Sequence, residues 1–308
     1  MSVSNWVIVL NYNLSAHCLR LLDALGQAPD FGVFIVDNHS REDDYAVLRK
    51  ACTEAGAQVL ALGMVQPTEI SQPIGSGQRL ILASAPRNLG YAGGNNLALR
   101  ALQATLGPQA QYLVLNPDVV ITPTSVQALF ACAADICGPA VYEHYRQSIS
   151  RDNQHIDFST GFAAPPGTPL NCLSGCCLKL SAHALERYGL LPEENFLYDE
   201  EVKFFERVHR AGGAPVYLPE VTVEHLGSAS VGKRSMHYFY YIFRNRLLYF
   251  LQEAGPRYHR PGRFARYYAA WWLGTFHTNL KQRNWRGAQG LLLAVWHGLR
   301  RVSGPLPD

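Results

Sequence analysis

Unbroken apolar runs recur along the first part of the chain, each closed by polar residues. Trp6-Val-Ile-Val-Leu10 ends in Asn11-Tyr-Asn13, Val33-Phe-Ile-Val36 ends in Asp37-Asn38, and Tyr112-Leu-Val-Leu115 ends in Asn116-Pro-Asp118. Short apolar runs bounded by turn residues predict buried strands. Segments of helical period lie between them, from Ser15 to about Ala28 and from Arg41 to Ala55. Ser15 is the expected N-cap of the first, and Ser40 with Asp43 reads as a capping-box start for the second. Further strands are predicted at Gln58–Leu62 and Arg79–Ala83, and a helix from Gly93 to Leu106, stopped by Gly107-Pro108. Met64–Gln78, with Pro67, Pro73, Gly75 and Gly77, reads as a loop. Alternating strand and helix predicts an α/β fold with a mostly parallel sheet.

The pattern then loosens. Tyr142–Pro169 is polar and irregular, and long loops in compact domains are usually functional. Leu173–Leu180 reads as a strand, Ser181 as the cap of a short helix, Glu200–Ala211 as a helix stopped by Gly212-Gly213, and Val221–His225 as a strand. From Met236 onward the chain reads as helices broken near Gly255-Pro256 and Pro261-Gly262. The expected division is an α/β body over 1–235, with halves meeting near residue 122, and a helical extension over 236–308.

Composition sharpens this picture in three places. The 308 residues are 48% hydrophobic, enough for a full core, yet no run of eighteen apolar residues predicts a transmembrane helix and no secretory signal is evident. Seven cysteines lack disulfide or zinc spacing; Cys172, Cys176 and Cys177 sit in an apolar run and read as buried thiols of a reducing, cytoplasmic protein. The net charge of +3 conceals an asymmetry: residues 254–308 carry nine Lys or Arg and one acid, so the rest of the chain is net acidic.

Three predicted strands thus deliver amides and carboxylates to one sheet edge, where open α/β sheets bind ligands. The glycine-rich segment Arg87-Asn-Leu-Gly-Tyr-Ala-Gly-Gly-Asn-Asn96 opens a helix facing that edge, an arrangement that suits a nucleotide diphosphate. Read from residues alone, several assignments stay open. Asp118 is a metal ligand or a turn aspartate; Asp37 a base-recognition group or a cap; Asp199-Glu-Glu201 a catalytic cluster or acids suited to a helix dipole. His225 follows a strand and is a ligand or a structural histidine, and Arg244, with Arg246 close by, reads as part of a solvated helix face.

The order Val7-Ile-Val-Leu-Asn-Tyr-Asn13, Val36-Asp-Asn-His-Ser40, Asn88-Leu-Gly-Tyr-Ala-Gly-Gly-Asn-Asn96, Leu115-Asn-Pro-Asp118, Tyr198-Asp-Glu-Glu201 and a later His225 resembles the family 2 inverting glycosyltransferases. The likeness is closest to the bacterial rhamnosyltransferase-like branch and covers roughly Val7 to Phe250. It implies a GT-A fold, with a nucleotide-sugar half over 1–122, an acceptor half over 123–235 and the basic helical extension behind. It implies sugar transfer from a nucleotide diphosphate, rhamnose from a dTDP donor being one candidate, to a surface-glycan or lipid-linked saccharide. Asp118 would hold Mg²⁺ or Mn²⁺ with His225, and Asp37 would recognise the base. Asn11, Asn13, Asn38, Asn88, Gly90, Asn96, Asn116 and Arg244 would contact the nucleotide sugar. Glu201 falls on the catalytic base, with Glu200 orienting the acceptor or the loop. Lys203 departs from the family's usual acid and reads as a surface partner of Glu200, three residues away.

A non-catalytic, membrane-recruiting subunit is the alternative that Lys203 favours. A nucleotidyltransferase would need a basic glycine-rich loop after the first strand, where this chain has Asn11-Tyr-Asn-Leu-Ser15. Nucleic acid is not an expected partner, whereas a homodimer is compatible with the sequence. The tail combines its basic residues with Trp271, Trp272, Trp285 and Trp296, which fits either docking on the inner face of the cytoplasmic membrane or internal packing.

Overall fold

The computed structural model describes residues 4–26, 30–61, 79–150, 155–165, 167–227, 235–252 and 260–307. The expected loop at Met64–Gln78 and the break at Gly255-Pro256 lie outside these residues.

One ten-stranded sheet organises the body. Its order is β3 (Gln58–Ala61), β4 (Leu80–Ser84), β2 (Gly32–Asp37), β1 (Asn5–Asn11), β5 (Gln111–Leu115), β11 (Cys177–Ser181), β7 (Ile136–Glu143), β12 (Val216–His225) and β6 (Val119–Val120); β8 (Ser148–Ile149) pairs with β7. The first five run parallel, β11 is antiparallel to both neighbours, and β7 and β12 are again parallel. A separate two-stranded ribbon joins β9 (Ile156–Asp157) and β10 (Phe162–Ala163) inside the segment expected to be irregular.

Strand alternation divides the core. Trp6 and Ile8 face one side with Phe34, Val36 and helix α3 (Gly90–Thr105), while Val7 and Val9 face the other. There they meet helices α1 (Ser15–Leu25), α2 (Glu42–Glu54) and α4 (Pro123–Ala131). Successive side chains of a strand point to opposite faces, so a sheet covered on both sides needs continuous apolar runs. Helices α5 (Ala182–Tyr188) and α6 (Glu200–Arg210) follow β11. The chain then continues through α7 (Met236–Gln252), α8 (Pro261–Lys281) and α9 (Trp285–Leu299), with α7 and α9 packed together.

Several local expectations need correction. Ser15 is the first residue of α1, not its cap, and its Oγ donates to Asp44 Oδ1 at 2.8 Å. No capping box opens α2; Ser40 Oγ instead accepts from Asn13 N at 2.9 Å. Helix α3 begins at Gly90, three residues early, because glycine adopts the φ of +75° that the entry demands. The strand expected from Leu173 begins only at Cys177, after a turn at Gly175-Cys176 whose Cys176 carbonyl accepts from Asn116 N at 2.8 Å. Strand β12 starts five residues before Val221, and its register shifts between Leu218 and Thr222, where Pro219 lacks an N–H. Ser181 does cap α5, accepting from Ala184 N at 2.9 Å.

Candidate active site

Strands β1 and β2 end in register, Asn11 beside Asp37. Both side chains are buried. Asn11 Nδ2 donates to Asp37 Oδ1 at 2.8 Å and is shared with Ser40 and Asp44, while Asp37 Oδ2 accepts from Ser40 N at 3.1 Å. Asn13 Oδ1 accepts from Arg41 N at 2.8 Å, with its own backbone at φ 58°. These three, expected at the nucleotide, do not line the cavity. They lock the β1–α1 loop to the β2–α2 loop one layer beneath it, because loop N–H groups reach their oxygens first.

The cavity above has a volume of about 730 Å³ and is lined by Asn38, Asn88, Gly90, Asn116, Asp118 and His225 among others. Asn38 Nδ2 donates to Asn88 Oδ1 at 3.0 Å and to Gly90 O at 3.1 Å, and its Oδ1 accepts from Leu89 N at 2.9 Å. The glycine-rich turn is thereby fixed to the end of β2. Its far side meets the loop before α6: Tyr91 N donates to Phe196 O at 2.7 Å, and a Cβ on Gly90 would lie 2.1 Å from that oxygen. Gly90→Ala therefore meets both a backbone clash and a left-handed φ, and should lower stability by about 2 kcal/mol or more. A shifted urea midpoint would register this, and an unchanged midpoint would exclude the close approach. Asn96 does not reach the cavity. It is buried and bonds both the carbonyl and the N–H of Leu191, at 2.8 and 3.1 Å, pinning α3 to the chain before α6.

On the opposite wall, β6, β12 and β7 place three ionisable groups side by side. His225 pairs in register with Val119, next to Asp118, and with Glu143. His225 Nδ1 lies 2.9 Å from Glu143 Oε2, and Nε2 lies 3.4 Å from Asp118 Oδ1. Burial disfavours the charged ring, but hydrogen bonds and charge attraction from Asp118 and Glu143 outweigh it and raise the pKa to about 9. The donor set fits a divalent ion held by Asp118 and Nε2, with Glu143 orienting the ring through Nδ1. No cluster of three or more candidate ligands occurs among the described residues, so a metal here would draw further ligands from diphosphate and water. Glu143 escaped the sequence reading because only the β7–β12 register brings it to His225.

The acidic segment has an unusual backbone. Phe196, Tyr198 and Asp199 all have positive φ, at 65°, 70° and 64°. Left-handed non-glycine residues need a surrounding structure that over-determines them. Here Arg244-Asn-Arg246 on α7 supplies it. Asn245 Nδ2 donates to Leu197 O at 2.7 Å and Tyr198 O at 2.9 Å. Arg246 grips Asp199 with two bonds, 2.8 and 3.0 Å, and also donates to Gly161 O. Arg244, expected at the diphosphate or on a solvated face, is fully buried; it donates to Asn195 O at 2.7 Å and Gly304 O at 2.6 Å.

Glu200 is buried as well, and Oε1 has no hydrogen-bond partner among the described residues. Burial, followed by the charge of Glu201, pushes its pKa well above the carboxylate range. Glu201 is half-buried. Neither acid lines the cavity as it stands. Lys203 is not a surface partner of Glu200: it is buried and pairs with Glu194 at 3.2 Å. The cavity also gathers Tyr12, Tyr91, Tyr198, His237 and Tyr241, none singled out from sequence, since aromatic residues in helices and loops usually mark core.

No family model matches the chain. Over 179 residues it is 29% identical to the N-acetylglucosaminyl-diphospho-decaprenol L-rhamnosyltransferase of Mycobacterium tuberculosis, covering 47% of this chain and 58% of that protein. It is 28% identical over 219 residues to the low-salt glycan biosynthesis hexosyltransferase Agl10 of Haloferax volcanii, covering 66% of this chain and 61% of that protein. The chain thus spans less than two thirds of the length of these curated relatives. Among solved structures, the mannosyltransferase PcManGT of Pyrobaculum calidifontis, in complex with GDP-Man and Mn²⁺, matches with a TM-score of 0.54 at 14% identity. That match covers 97% of this chain and 88% of the other, a likeness of fold.

Proposed function

We propose, from the 28–29% identity to a rhamnosyltransferase and a hexosyltransferase and the likeness of fold to a mannosyltransferase, that the chain is a GT-A-fold family 2 glycosyltransferase of the rhamnosyltransferase-like branch and an inverting hexosyltransferase. It moves a sugar from a nucleotide-diphosphate donor, with dTDP-rhamnose the first candidate, to a hydroxyl of a lipid-linked or surface-glycan saccharide. Residues 1–122 serve the donor and 123–235 the acceptor, while 236–308 brace the acidic loop at 195–199 through Arg244, Asn245 and Arg246. The acceptor is presented at the inner face of the cytoplasmic membrane.

The observation that carries this reading is the cavity itself, with the Asn38–Asn88–Gly90 turn on one wall and Asp118, His225 and Glu143 on or behind the other. Asp118 and His225 would hold Mg²⁺ or Mn²⁺, which supplies neutralisation of the leaving diphosphate. Holding it would require His225 Nε2 to be free of its proton, with Nδ1 donating to Glu143. Asn38 and Asn88 hold the turn whose backbone faces the donor. Glu201 takes the proton of the acceptor hydroxyl as the new bond to the anomeric carbon forms and the bond to the diphosphate oxygen breaks. Lys203, once the argument for a non-catalytic subunit, is occupied with Glu194 and carries no such weight.

Thermal unfolding with a panel of dTDP-, UDP- and GDP-sugars, each with and without Mn²⁺, tests the proposal. A ligand at about 100 times its Kd adds ~2.7 kcal/mol of stability, a shift of several degrees. The donor should give that shift only with metal, and Asp118→Asn should abolish the metal-dependent part. No shift from any nucleotide sugar would reject the assignment.

A further inference from the structure

Helix α9 buries its small residues together with Leu291 and exposes four of its large ones. Gly287, Ala288, Gly290, Ala294 and Gly298 face inward. A Cβ on Gly290 would lie 2.4 Å from Met236 O and one on Gly298 2.8 Å from Leu247 Cδ2, so the close seat of α9 on α7 depends on them. Outward, Trp285 is 67% exposed, Leu292 54%, Trp296 53% and Leu299 63%. Their spacing of seven, four and three residues places them on one helical face. On α8, Leu273 and Leu280 are also exposed. The other two tail tryptophans turn inward: Trp271 stacks on Phe243 at 3.8 Å, and Trp272 Nε1 donates to Leu291 O at 3.1 Å.

The tail that carries this stripe has charge of one sign. Lys281, Arg283, Arg286, Arg300 and Arg301 are exposed, and residues 261–307 contain no acid. Arg300 lies over the Trp296 ring at 3.3 Å. Among the described residues no helix is long and apolar enough to cross a membrane. A two-fold contact through this face would set each copy's arginines against its partner's, which disfavours self-association.

We infer that the exposed face of α9 docks on an anionic lipid bilayer, with tryptophan and leucine entering the interface and the arginines meeting headgroup phosphates. This deepens the membrane side of the proposed function. Vesicle binding and donor binding are separate measurements, so either reading fails without the other. The probe is sedimentation of the full chain with vesicles of phosphatidylcholine alone or mixed with phosphatidylglycerol. The protein should pellet with the anionic vesicles and largely stay in solution with the neutral ones. A Trp285→Ser/Leu292→Gln/Leu299→Gln variant should bind at least about tenfold more weakly. An Arg283→Gln/Arg286→Gln/Arg300→Gln/Arg301→Gln variant should lose on the order of 1,000-fold. All these residues are exposed, so circular dichroism and the thermal midpoint should not move. Recovery of the wild-type chain in the supernatant, or equal binding by the apolar variant, would overturn the inference. So would dimerisation in sedimentation velocity that the apolar variant abolishes while vesicles stay unbound, which would assign the stripe to a second copy.

Discussion

Glu201→Gln should leave donor binding nearly intact and reduce turnover on the order of 10²- to 10⁴-fold, the range that a positioned general base contributes. The amide keeps the shape of the side chain but cannot take the acceptor proton. Its neighbour provides the contrast. Glu200 is already pushed toward its neutral form by burial and by Glu201, so glutamine there mimics the native protonation state. Glu200→Gln should retain most activity. It should also change the pH dependence of stability. A carboxyl whose folded-state pKa is raised contributes stability at low pH that is lost as pH climbs from its unfolded value, near ~4.3, toward the folded one. The variant should therefore match the wild type near pH 4 and exceed it at neutral pH. Turnover measured with saturating donor, beside urea unfolding at both pH values, separates the two acids. Collapse of activity in Glu200→Gln but not Glu201→Gln would move the base by one residue.

Arg246→Met should cost about 3–5 kcal/mol of stability, the usual penalty for removing one partner of a buried ion pair. Asp199 would keep a buried carboxylate without its bidentate partner, and Gly161 O would lose its donor. Against a total stability of about 5–15 kcal/mol this is a large fraction. Arg246→Lys should recover only part of it, because an ammonium cannot bond both carboxylate oxygens in a planar fork. An Asp199→Asn/Arg246→Met double variant should lose less than the sum of the singles. A single-variant loss below about 0.5 kcal/mol would show that the loop does not depend on this grip.

These residues also mark where sequence reading succeeded and where it stopped. The apolar runs of β1, β2 and β5 announced a parallel sheet, since a strand covered on both faces leaves a continuous signature. Polar residues at their ends announced a ligand edge. Which of them face the ligand was not legible: Asn11 donates to Asp37 at 2.8 Å, and their oxygens accept from the loop N–H groups of Leu14 and Ser40 at 3.0 and 3.1 Å, contacts that depend on loop conformation rather than residue type. Arg244 stood out as a motif, yet its target depends on how α7 packs over residues 195–199, nearly fifty positions earlier. Glu143 left no signal at all, being joined to His225 only by strand register.

The same contacts fix an order of assembly. Arg246 reaches back 47 residues to Asp199 and 85 to Gly161, and Arg244 forward 60 to Gly304. Loops of that length close slowly compared with helices and neighbouring strands. During synthesis the strands through β11 and the acidic segment leave the ribosome before α7 exists to hold Phe196, Tyr198 and Asp199 in their left-handed conformations. The sheet can form early, but its acidic loop takes shape only when the helical end of the chain has arrived and docked. A nascent chain stalled before Met236 would carry the sequence motifs of the site up to His225 without the backbone geometry that α7 imposes on the acidic segment.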